Sequence, residues 1–176
     1  LPFVLLAMKL GLVIYFTHKL HDLTVTQARG VFLFYSVLSG IALTPIFLMY
    51  SAGSLIMVFG VTALFFGLMA GAGLVTKRDV SRLGPMVLGA LAALLMMEVV
   101  NLFFSFSGFE AGICFAGLLI FLGVTTYDSK KVKDLYAHFA GDESALDKIS
   151  VYCALELYLD FINVFLYLLR LFGKRR

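Results

Sequence analysis

Six apolar runs, separated by polar or charged joints, organise the chain. They cover residues 1–16, 31–50, 55–75, 83–104, 111–127 and 149–172. Crossing the hydrocarbon core of a bilayer takes about 20 apolar residues in a helix. Each run reaches or approaches that length, and the first is short because the sequence enters it part-way. The pattern predicts an all-α, polytopic membrane bundle, with one transmembrane domain over 1–176. The joints differ in character. Residues 17–30 are polar and long, 51–54 very short, 76–82 charged, 105–110 free of basic residues, and 128–148 the longest. Short connections make neighbouring helices antiparallel. Within the longest joint, Val132, Leu135, Tyr136 and Phe139 recur at i, i+3, i+4 and i+7. That is an amphipathic stripe, lying on the membrane surface or continuing the fifth segment at the bundle's edge. Gly67 with Gly71, and Gly84 with Leu88, are spaced for close approach of helix backbones in lipid.

Composition strengthens the membrane reading. Of 176 residues, 61% are hydrophobic and 14% charged, against about half and about a quarter in a soluble domain. One buried core cannot absorb that excess. The net charge of +3 is small, and the basic residues cluster between apolar runs, as in membrane loops rather than on a nucleic-acid surface. Lys19, Arg29, Lys77, Arg78, Arg82, Lys130, Lys131, Lys133 and Lys148 fall on one side, and Arg170, Lys174, Arg175 and Arg176 on the other. This split assigns the charged loops to the cytoplasm and the C-terminus to the far side. The tail "GKRR" pulls the other way and leaves a re-entrant last helix as the alternative. Cys114 and Cys153 lie in apolar runs with no nearby His or Cys, and read as packing residues. His18, His21 and His138 lie in joints. With no metal-binding, nucleophile-elbow or phosphate-loop motif, no cofactor is expected.

Charge inside the apolar runs is the informative exception, because a charge at the bilayer centre costs at least about 2.5–3.5 kcal/mol. Asp160 stands mid-way along the sixth run, with Glu156 one turn before it and Asn163 close behind on the same face. Two neighbouring carboxylates in a poor dielectric resist being ionised together. Glu98, with Asn101 three residues on, lies deep enough in the fourth run to need a partner. Lys9 is the basic residue well inside an apolar run; it either pairs with a carboxylate or snorkels to the surface. Asp128 ends the fifth run, and on hydropathy alone is an interfacial residue among lysines. Depth counts mildly against pairing it with Asp160, which lies about 18 Å from the end of its own run. Helix tilt or inward packing of Asp128 closes that gap.

The segment "ALELYLDFINVFLYLLRLFG" (154–173) closely resembles the last transmembrane segment of the Bax inhibitor-1 family. "GVTTYDSKKVK" (123–133), "YSVLSGIALTPIFLMYS" (35–51) and "TKRDVSRLG" (76–84) resemble further blocks of that family, in the expected order. The short loops resemble bacterial members best. The resemblance implies a seven-helix fold, of which this sequence carries six helices and lacks the first. It implies a pH-sensitive calcium leak pathway in a bacterial cytoplasmic membrane, with lipid and calcium ions as partners. The implied pH sensor is Asp128 with Asp160, two aspartates from the last two helices that also offer calcium transient oxygen ligands. Glu156, Glu98, Asn163 and Asn101 are then candidates for lining the pathway, and Lys9 for a charge partner. Glu156 adds a third acid beside Asp160, and Lys9 a positive charge where a cation pathway favours acids.

Two other readings compete. In an intramembrane aspartyl protease, "YD" (127–128) would supply one aspartate. The second context, "LYLD" (157–160), has Leu157 and Leu159 where glycines admit a substrate strand, so no enzyme is expected. In a non-transporting membrane regulator, the acids would only hold helices together.

Overall fold

The computed structural model describes residues 19, 23–78, 80, 83–104 and 109–176, with backbone alone at 102–104 and 109. The first predicted segment, Lys9, His18, His21 and Arg82 lie outside the described residues. Five helices follow: α1 Val25–Met49, α2 Ala52–Val75, α3 Gly84–Phe104, α4 Phe109–His138 and α5 Glu143–Phe172. All five are long and apolar enough to cross a membrane.

The helix starts are written locally. Thr24 and Gln27 form a capping box at α1, each side chain bonding the other's backbone N–H. The Ser51 hydroxyl accepts from the N–H of Ser54 at α2, and Asp142 from that of Ala145 at α5. Hydroxyls inside the helices bond their own preceding turn: Thr62 to the carbonyl of Val58, Thr125 to Phe121 and Thr126 to Leu122. Where no water is available, this keeps these three hydroxyls satisfied.

The two longest helices correct the sequence reading. Residues 128–148 are not a long loop. Helix α4 runs on through Asp128 to His138, α5 begins at Glu143, and only residues 139–142 connect them. The amphipathic stripe at Val132, Leu135 and Tyr136 therefore continues the fifth segment. At about 1.5 Å per residue, 30-residue helices are about 45 Å long, well beyond the roughly 30 Å hydrocarbon layer. The last helix is unbroken over that length, so it contains no re-entrant turn.

Helices α4 and α5 form the centre. Helix α5 packs against α4, α2 and α1, while α4 also holds α2 and α3. The inward face of α5 buries Leu155, Val164, Phe165, Leu168 and Leu169. Leu33, Val37, Ile56, Leu64, Met86 and Leu95, on α1 to α3, all face outward, which suits a surface bathed in lipid. Of the glycines the spacing singled out, Gly84 is closely approached, a Cβ there lying 2.9 Å from the Tyr127 hydroxyl, but the tightest contact between helix backbones is at another glycine. A side chain at Gly67 or Gly71 would meet nothing, whereas a Cβ at Gly73 would overlap the backbone oxygen of Thr126 and approach Ser129 Cβ to 2.8 Å.

The joints put the ends of α1, α3 and α5 at one end of the bundle, here the tail end, and the ends of α2 and α4 at the other, the basic end. At the tail end, the chain folds back on the α1–α2 turn. Ser51 N donates to Lys174 O (3.1 Å), Arg176 N to Met49 O (2.9 Å) and Lys174 N to the Ser54 hydroxyl (2.9 Å).

Candidate functional site

Helix α4 supplies Asp128 and Lys131, and α5 supplies Glu156, Asp160 and Asn163. The two helices are antiparallel, so one turn toward the basic end carries α4 from Asp128 to Lys131 and α5 from Asp160 to Glu156. The side chains meet in that order. The carboxyls of Asp128 and Asp160 lie within hydrogen-bonding reach of each other. One turn on, Lys131 Nζ donates to both oxygens of Glu156, at 2.7 and 3.0 Å. The ammonium also stands 5.1 Å from the centre of the Tyr152 ring. The depth mismatch expected from the sequence placed Asp128 at a helix end. Because α4 continues to His138, about 15 Å further, Asp128 is drawn into the bundle.

Asp160 is 3% exposed, and its Oδ2 atom is buried without a donor. Its facing group, Asp128, offers only acceptor atoms while ionised. A proton held between the two carboxyls turns this contact into a hydrogen bond, and its loss leaves two like charges confined together.

The lysines of "SKKVK" read as a solvated cluster, yet each has its own partner. Lys130 pairs with Asp134, Lys131 with Glu156, and Lys133 Nζ donates to the carbonyl of Leu74 at 2.8 Å, near the end of α2. Lys131 was thus missed as a site residue. Its signal was its place one helical turn from Asp128.

The remaining candidates gather near the tail end. Glu98 accepts from Arg170 Nη1 at 3.1 Å and from the Tyr167 hydroxyl at 3.1 Å. Arg170 had been read only as a tail charge, and is the basic partner Glu98 required. Asn101 lines a 350 Å³ cavity with Glu98, Glu110, Arg170 and Arg175. Asn163 donates its amide to Leu159 O at 2.8 Å, and lines a 550 Å³ cavity with Glu98, Phe121 and Tyr167. At the basic end, a 290 Å³ cavity is lined by Val80, Tyr127, Lys131, Asp134, Leu135 and His138. Asp128 and Asp160 line none of these three cavities. Among the described residues, no three His, Cys, Asp or Glu side chains converge to hold a metal ion.

Residues 1–176 match the family model described as "Inhibitor of apoptosis-promoting Bax1" over their whole length. The chain belongs to the Bax inhibitor-1 family. Among similar proteins, the inner membrane protein YbhL of Escherichia coli is 39% identical over 173 residues, covering 98% of this chain and 74% of YbhL. Uncharacterised proteins of Borreliella burgdorferi and Deinococcus radiodurans are each 36% identical, covering 98% and 97% of this chain and 74% of each relative. None of these three names describes an enzyme. Family, helices and the inner-membrane relative together make this an integral membrane protein.

Proposed function

We propose that this Bax inhibitor-1 member is a pH-sensitive calcium leak pathway, gated by one proton shared between Asp128 and Asp160. The observation that carries the reading is the facing of buried Asp160, whose Oδ2 has no hydrogen-bond donor, and half-buried Asp128 across the α4–α5 contact. With the proton in place, the pair clasps α4 to α5. Raising the pH removes it, and repulsion in a poor dielectric loosens the clasp. The freed carboxylates, with Glu156 nearby, are hard oxygen ligands that give a calcium ion transient purchase as it crosses. The basic-end cavity is its cytoplasmic entrance, and the cavities at Glu98, Asn101 and Asn163 its far mouth.

Calcium entry into proteoliposomes, followed with a trapped indicator across a pH series, tests this. Wild-type flux rises with pH. Asp128→Asn and Asp160→Asn each supply a donor that does not titrate, so each holds the clasp and flattens the response at its acid level. A pH response unchanged in both variants refutes the gate.

A second reading, a non-transporting membrane regulator, draws on the position of the pair, which lines none of the three cavities described above. Under it, the same variants change thermal stability while flux stays at the level of empty vesicles.

A further inference from the structure

Lys131 occupies the place where a cation entering from the basic end would arrive. Its side chain lines the basic-end cavity, and its ammonium is bonded to Glu156, one turn from the Asp128–Asp160 pair. The charged groups nearest its ammonium are acidic. Asp128 and Asp134 come from its own helix, Asp134 being already paired with Lys130, His138 lines the same cavity, and Glu156, Tyr152 and Cys153 come from α5. We infer that Lys131 is a tethered cation that plugs the acidic site from the basic end and sets which mobile cations reach the aspartate pair.

The inference rests on the leak reading above and deepens it. The ammonium is a fixed positive charge on a flexible stem. Held on Glu156, it neutralises one acid of the site and repels any cation leaving the cavity for the pair. Repulsion by a fixed charge grows with the charge of the visitor, so a divalent ion meets twice the barrier of a monovalent one. Wild-type passage is therefore slow for calcium relative to potassium. A pure packing tether would make no such distinction, since loosening α4 from α5 admits both ions alike. The pair also explains why an acid absent from the implied aspartate sensor stands beside it. Glu156 is the anchor that keeps the plug in register.

The test is flux in proteoliposomes at one permissive pH, with calcium and potassium measured on the same preparations. Lys131→Gln keeps an amide near Glu156 but removes the charge. It should raise calcium flux about tenfold, the low end of what field focusing gives at a charged constriction, and raise potassium flux less. Lys131→Arg should stay near wild type. The exchange Lys131→Glu with Glu156→Lys returns a cation to the same gap and should restore low calcium flux; it also serves if the single variant folds poorly. Equal rises for both ions would make Lys131 a structural tether and overturn the inference. Unchanged calcium flux in Lys131→Gln, with Asp160→Asn still flattening the pH response, would overturn it and leave the gate standing. Absence of flux above empty vesicles in every variant would remove both.

Discussion

Cutting the Lys131–Glu156 pair should weaken the bundle measurably, by an amount set by its partial burial. Two unit charges 2.7 Å apart attract by about 6 kcal/mol at an effective dielectric constant near 20. Most of that is offset by the loss of hydration. Removing one partner from a fully buried pair costs about 3–5 kcal/mol, while an exposed pair is worth about 0–1 kcal/mol. The side chains here are 32% and 19% exposed, so the pair falls between those limits. Glu156→Gln is expected to cost about 2 kcal/mol, because Lys131 then keeps its charge with only an amide facing it. The assay is a double-mutant cycle of Glu156→Gln, Lys131→Gln and both together, unfolded by denaturant in detergent micelles. The double variant should recover about 1–2 kcal/mol relative to the sum of the singles. Additivity to within about 0.5 kcal/mol would mean that the two side chains do not interact, and would refute the α4–α5 register on which the site is built.

Other substitutions probe the frame around the site. Gly73→Leu drives a side chain into the backbone of Thr126 and Lys130 and the Cβ of Ser129, and should cost about 2–3 kcal/mol in the same unfolding assay. Tyr167→Phe removes one donor from Glu98 but leaves Arg170 in place; the loss should be about 1 kcal/mol. Gly173→Ala puts a methyl group against the carbonyl of Leu169 and the ring of Tyr50. It should undock residues 174–176, seen as faster carboxypeptidase trimming with little change in global stability.

Hydropathy placed α2 and α3 to within about three residues and found the core of α1, because the bilayer demands both apolar side chains and internally bonded backbone. It failed where those demands part company. The fifth run loses its apolar character at Asp128, but the helix does not stop there. The Lys130–Asp134 pair at i, i+4 and the stripe of Val132 and Leu135 carry it on to His138. At the other end of the connection, Asp142 caps a turn of α5 too polar for a hydropathy threshold. The isolation of Asp160 and Glu156 in an apolar run was legible from local sequence. The facing of Asp160 and Asp128 was not, since depth alone set them apart, and the expectation came from family resemblance. Lys131 and Arg170 were misread for one reason. A basic residue near a helix end resembles a solvated anchor until a helix distant in sequence brings its carboxylate alongside.

The backbone bonds between residues 174–176 and the α1–α2 turn have a mechanical consequence. They tie the last helix at one extremity, so sliding along its axis would break them, whereas pivoting about them would not. Asp160 lies about 20 Å from that anchor and the start of the helix about 45 Å. A swing of about 5 degrees would part the acids by under 2 Å while displacing the far extremity by about 4 Å. Movement begun by a single proton would thus be geared up along a lever, widest where the chain meets the basic face.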